Sequence, residues 1–180
     1  MMKNLSLKVS LFGKHPSSSE YLYFGKNSDF MNSVVKWVEN GYETLLQTRL
    51  SNRSKEIHHF CFLNVKIDSF ICGSIKFSKD SKNREYPLVI AVEVTPYSSF
   101  LNSQGVIEYA KSINKEILNV FNEDYNLKEL KMQLLKLSKF EEDVTGVDDL
   151  FSSVFMNEDF SQFRTFYRPL DIDDFTVMMR

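Results

Sequence analysis

The sequence predicts an α+β domain built on a central, mainly antiparallel sheet with helices on both faces. Three observations carry this reading. Leu5 to Phe12 alternates with period two, Pro87 to Val92 is apolar without interruption, and three later or intervening stretches repeat their apolar residues at helical spacing. A strand with no polar face must be covered twice, so helices are expected on both sides of the sheet.

Taken in order, Leu5 to Phe12 alternates as a half-buried strand and runs into the turn signal Gly13-Lys14-His15-Pro16, followed by Ser17-Ser18-Ser19. From Phe30 the period becomes helical. Phe30, Val34, Val38, Tyr42, Leu45 and Leu46 share a stripe, Trp37 and Leu50 flank it, and Ser28-Asp29 supplies a cap and a first-turn acid. His59 to Val65 and Phe70 to Phe77 read as strands joined by the short Lys66-Ile67-Asp68-Ser69 connection, an antiparallel hairpin that brings Cys61 opposite Cys72 if it turns near residues 66 and 67. The polar stretch Ser78 to Glu85 precedes the strand Tyr86 to Val94.

Val106, Ala110, Ile113, Ile117 and Phe121 form a second helical stripe, capped by Asn102 or Ser103, and Leu127, Leu130, Leu134 and Leu137 a third. Asp148-Asp149 is expected to open a short helix with Leu150, Phe151, Val154 and Phe155 on its apolar face. Phe163 to Leu170 and Phe175 to Met179 offer a last strand. Neither a repeat nor a linker interrupts the 180 residues, so a single domain spanning 1–180 is expected.

Composition narrows the class further. Sixteen Phe and 8 Tyr stand against 6 Gly and 4 Pro, which excludes collagen-like, low-complexity and disordered chains. The apolar runs are far shorter than the ~20 residues a bilayer helix needs, so no membrane insertion is expected. Lys3 and Lys8 bracket Leu5 and Leu7, so no secretory signal is expected either; with only two cysteines, the chain reads as reduced and cytoplasmic.

The net charge of −2 hides an asymmetry. Residues 1–90 carry 13 basic and 8 acidic side chains, whereas 141–180 carry 3 and 10. An acidic segment of this kind either folds back on the basic part or offers a docking face for a basic partner. No nucleic-acid partner is expected, because the chain is mildly acidic and its basic residues are dispersed among acids.

Candidate chemistry is sparse. His58 and His59 are adjacent and would point to opposite faces of a strand, so with Cys61 and Cys72 they do not read as a zinc set, and the two cysteines read as buried thiols. His15 sits in a turn with no nucleophile-elbow sequence near it, and Glu141-Glu142 and Asp173-Asp174 read as solvated charge. There is no phosphate-cradling glycine loop. Ser78-x-Asp80-x-x-Asn83-Arg84-x-Tyr86-Pro87-Leu88 stands out as a turn in which Asp80 would bond backbone, Asn83 would tolerate positive φ and Arg84 would pack its stem.

Three blocks then resemble a known family. Phe12-Gly13-Lys14-His15-Pro16 with Ser19-Glu20-Tyr21 is similar to the FGKLPxxGDF signature of the type VI secretion-associated TagF/ImpM family. Trp37 and Gly41 match its W-x-x-x-G spacing, and Gly73 with Ser78 to Leu88 resembles its G…SxDxxGRxYPL block. His15 replaces Leu, Ser19 replaces Gly, and Asn83 replaces the Gly before Arg84, Asn being the residue that tolerates the left-handed region best after Gly. The motifs fall within 5–94, leaving a helical and acidic part from 95 to 180.

The resemblance implies a profilin/longin-like fold and a non-enzymatic, cytoplasmic accessory protein of a type VI secretion system. It implies a post-translational repressor of machine assembly that binds a forkhead-associated (Fha) scaffold or another secretion component, with no cofactor or metal. The acidic segment 141–180 would suit the basic phosphopeptide-binding surface of such a scaffold. Under this reading Gly13, Lys14, Pro16, Glu20, Trp37, Asp80, Arg84, Tyr86 and Pro87 are partner-binding or turn-forming residues. A structural adaptor without repressor activity and a small-molecule enzyme using His15 or His58/His59 are the alternatives.

Overall fold

In the computed structural model, residues 5–25, 28–47, 56–100, 103–140, 153–166, 174–175 and 178–179 are described. Seven antiparallel strands form one sheet. They are β1 (Ser6–Gly13), β2 (Leu22–Phe24), β3 (His58–Asn64), β4 (Ser69–Lys79), β5 (Glu85–Thr95), β6 (Ser153–Met156) and β7 (Phe163–Phe166), in the order β2-β1-β5-β4-β3-β6-β7. Among the described residues three long helices accompany them: α1 (Asp29–Gln47), α2 (Ser103–Asn122) and α3 (Leu127–Leu137). The fold is α+β.

Strand β5 lies between β1 and β4, and its residues divide between two apolar clusters. Leu88, Ile90, Val92 and Val94 join Val9, Leu11 and Phe70 with residues of α2 and α3. Val89 and Ala91 join Phe12, Phe60, Ile71 and Ile75 with residues of α1. Alternate residues of a strand point to opposite sides, so this one segment belongs to two cores. That is the physical content of its unbroken apolar run.

The helices follow their patterns with one rotation. Ser28 Oγ accepts from the Met31 N–H at 3.0 Å and caps α1 as expected. The buried stripe of α1 is Met31, Val34, Val38, Gly41, Tyr42 and Leu45, while Leu46 is exposed. Helix α3 starts in a capping box, with Asn126 Oδ1 bonding the Lys128 and Glu129 N–H groups and the Glu129 carboxylate returning to the Asn126 N–H. Helix α2 has no basic residue in its last turn; Lys76 of β4 donates to the Phe121 carbonyl at 2.7 Å instead. A cation there complements the carbonyl end of the helix dipole.

The C-terminal region corrects one expectation. Val154 and Phe155 lie on strand β6, paired with β3 through Cys61↔Val154 and Phe60↔Phe155, and not on a helix. The spacing at 150, 151, 154 and 155 suits a helix, but β3 offers an open edge, and Val154 and Phe155 then fill the two cores on its opposite faces. Residues 148–152 lie outside the described residues. Phe163–Phe166 does form a strand, whereas Asp174 and Phe175 are helical.

Phe175 is where this region meets α1. Its ring lies 5.1 Å from that of Trp37, which also meets Phe62 at 5.3 Å and stacks on Phe155 at 5.7 Å. Gly41 is one turn from Trp37 on the same face, and a Cβ there would overlap the Phe175 ring. The W-x-x-x-G spacing is therefore a socket for a C-terminal aromatic side chain. Gly41→Ala should cost about 1–3 kcal/mol by overpacking, measured by urea unfolding. Phe175→Ala should cost ~3–5 kcal/mol, and in that background Gly41→Ala should cost nothing or stabilise, because alanine is the better helix former.

Candidate functional site

The motif residues converge on one buried carboxylate. Asp80 follows β4 directly, and its side chain is fully buried. Its Oδ1 accepts the N–H groups of Lys82 and Arg84, both at 2.9 Å. Its Oδ2 meets the Arg84 guanidinium Nε at 2.8 Å and the Lys14 ammonium at 3.4 Å. The turn closes when the Asp80 N–H donates to the Arg84 carbonyl and the Asn83 N–H to the Asp80 carbonyl, with Asn83 at φ 61. Asparagine thus occupies the left-handed position that the motif fills with glycine.

The same turn is sewn to the loop that leaves β1. Arg84 Nη2 donates to the Ser19 carbonyl at 2.6 Å, and the Ser81 N–H donates to the Ser18 carbonyl at 2.9 Å. Within that loop the Ser17 N–H donates to His15 Nδ1 and the Ser18 N–H to the His15 carbonyl. Gly13 starts it at φ 120, where a Cβ would overlap the Pro87 carbonyl oxygen. Lys14, Asp80 and Arg84 are thus brought together, and Gly13 packs on Pro87.

The other expected site residues lie apart from this cluster. Pro16 and Glu20 are exposed in the loop, Glu20 donating its N–H to Ser18 Oγ. Tyr86 packs edge-on against Tyr42 at 4.7 Å and Tyr21 at 5.4 Å. Trp37 is neither on a turn nor near Asp80; it belongs to the aromatic cluster under α1. The serine carbonyls of residues 18 and 19 are essential partners that residue type could not reveal, because any residue supplies a carbonyl.

Burial pushes the Asp80 carboxyl up, but the Arg84 backbone and guanidinium, the Lys82 N–H and the Lys14 ammonium outweigh it and hold the pKa at about 2. The histidines are structural in character. His59 Nδ1 is 2.6 Å from Ser74 Oγ, its ring stacks on Phe160 at 4.2 Å, and burial lowers its pKa to about 4. Burial also lowers His58 and His15, the latter aided by the nearby Lys76 charge. Cys61 and Cys72 are paired across β3 and β4 as buried thiols, and burial raises both. Among the described residues no cluster of His, Cys, Asp or Glu is arranged to hold a metal.

Comparison with known proteins bears on this arrangement. The family model described as TagF N-terminal domain, type VI secretion system-associated, matches residues 10–137, well over half of the chain. The crystal structure of PA0076 from Pseudomonas aeruginosa PAO1 aligns with a TM-score of 0.65 over 95% of this chain and 93% of that one, at 12% identity, a likeness of fold. No curated protein matches the chain. The matched segment contains all three motif blocks and stops before β6 and β7.

Asp80→Asn tests the carboxylate. An Asp pKa of about 2 when folded and about 3.9 when unfolded means the charged form stabilises the fold. That contribution is complete above the unfolded value and is lost as pH falls through the folded one. The variant should unfold at lower urea than the parent at pH 7, and the gap should close between about pH 4 and pH 2.

Proposed function

The chain belongs to the TagF N-terminal domain family of type VI secretion-associated proteins, and from that premise we propose a post-translational repressor of machine assembly. It acts in the cytoplasm by binding an Fha-type scaffold, and it works by contact and not by turnover. The observation that carries the reading is the family match over the three motif blocks. The motif geometry supports it: the charged groups of Lys14, Asp80 and Arg84 bond one another and the backbone of two turns, the work of a scaffold that shapes a surface. Among the described residues no helix is long and apolar enough to cross a membrane.

A profilin/longin-like architecture with helices on both faces accompanies this proposal, supported by the two core clusters that hold α1 on one hand and α2 with α3 on the other. We place the whole chain, 1–180, in one domain: β6 extends the sheet from β3, and Phe175 enters the α1 core. The acidic segment is therefore also a structural one. Its described acids are Glu158, whose carboxylate accepts the Ile57 N–H at 3.1 Å, the exposed Asp159, which accepts the Ser161 N–H at 2.9 Å, and Asp174, which is buried and not solvated as expected. Its other acids lie outside the described residues.

Deletion in the native host decides the sign of regulation. Repression predicts more secretion of type VI substrates on deletion, with transcript and component levels unchanged. A fall in secretion would establish a structural adaptor instead, and unchanged secretion would overturn both.

A further inference from the structure

Strand β2 opens the order of the sheet, so among the described residues no strand pairs with its outer edge. Such an edge presents backbone N–H and C=O groups that an extended segment can complete. The two sides of this edge differ in chemistry. Toward α3, Leu22 and Phe24 form an apolar groove with Leu127, Leu130 and Leu134, and Lys131 stands at its rim, 5.9 Å from the centre of the Phe24 ring.

The intervening residues face the α1 side. Tyr21 and Tyr23 are 37% and 51% exposed. The Tyr21 hydroxyl donates to the Glu39 carboxylate at 3.3 Å, and its ring meets that of Tyr86. Burial raises the Tyr86 phenol to about 12, and the charges of Glu39 and Glu43 push it the same way, a sign of the negative field over these rings. Exposed tyrosines beside carboxylates attract cations, whereas Lys131 repels them from the groove.

We propose that the outer edge of β2 docks an extended segment of a protein partner, with apolar residues toward the Leu22–Phe24 groove and Lys or Arg at the alternate positions over Tyr21, Tyr23 and Glu39. Strand alternation makes the two requirements compatible, since successive side chains reach opposite sides. Tyrosine is also the residue type enriched where interfaces concentrate their energy. The inference rests on the reading of the chain as an interaction module and gives that module a surface.

Two synthetic peptides of equal length test it, one alternating valine and leucine with lysine and arginine, the other with glutamate in the charged positions. The basic peptide should slow hydrogen exchange at Leu22 to Phe24 and bind about tenfold more tightly than the acidic one. Tyr23→Lys and Glu39→Lys, both at solvent-accessible positions, should each lower its affinity about tenfold with the melting temperature unchanged. Equal binding of the two peptides, protection elsewhere, or full affinity in both variants would overturn the proposal. Co-purification from the native host separates this from the broader function: recovery of a type VI component by parent and Tyr23→Lys alike rejects the β2 edge alone. Recovery by neither rejects the secretion partner, while the peptide result still decides the edge.

Discussion

The structure depends on a central strand whose middle has no polar face. Strand β5 is hydrogen-bonded on both edges and apolar on both sides from Pro87 to Val92, with the buried Glu93 just beyond that run, so neither core can be removed without exposing half of it. At about 25 cal/mol per Å² of apolar area, one exposed side would cost several residues' worth of transfer energy, each ~1.5–3 kcal/mol. A domain of ordinary marginal stability has no such reserve. The two clusters, one holding residues of α1 and the other residues of α2 and α3, follow from that single requirement.

The buried Asp80 carboxylate solves a second problem at the tip of the β4–β5 hairpin. A hairpin tip by itself says nothing about where a neighbouring loop must go. Here Arg84 and Ser81 reach across to the carbonyls of Ser19 and Ser18, and Lys14 reaches back to Asp80 from the other end of the same loop. The chain leaving β1 is therefore held at both ends of its turn, and Tyr21 and β2 follow immediately. The motif acts on position: it fixes the orientation with which β2 joins the sheet edge. Three groups, the Lys14 ammonium, the Arg84 guanidinium and the Arg84 backbone N–H, meet the one buried Asp80 carboxylate, so losing that carboxylate releases them together.

Much of this was legible in the sequence. The limits of β1, the Cys61–Cys72 register, the apolar β5 run and the α2 stripe all reappear within a residue or two, although β1 is buried on both sides from Val9 to Gly13 and not half-buried as its alternation suggests. Asn83 reads as a left-handed turn residue and is one, at φ 61. Failures came where two patterns fit the same residues. Val154 and Phe155 satisfy helical spacing and also the filling of both faces of a strand, and only the open edge of β3 decides between them. The buried stripe of α1 is turned slightly from its pattern: Met31 is buried and Leu46 exposed, a choice that the position of the sheet makes and residue type does not.

Strand β2 failed for a different reason, and the contrast separates two kinds of functional residue. Three residues are too few to display a period, and Leu22 and Phe24 have no sequence neighbours that repeat them. More basically, what an edge offers is backbone, and backbone groups are the same for every residue type. The Gly13 turn, the Asp80 carboxylate and the Asn83 conformation each need a particular side chain, or the lack of one, and therefore leave a signature. Contact surfaces of tyrosine and glutamate need only suitable chemistry on the correct side of a strand. A family motif can thus mark the residues that aim a surface while remaining silent about the surface itself. In this chain the first motif block ends at Tyr21, and strand β2 begins one residue later.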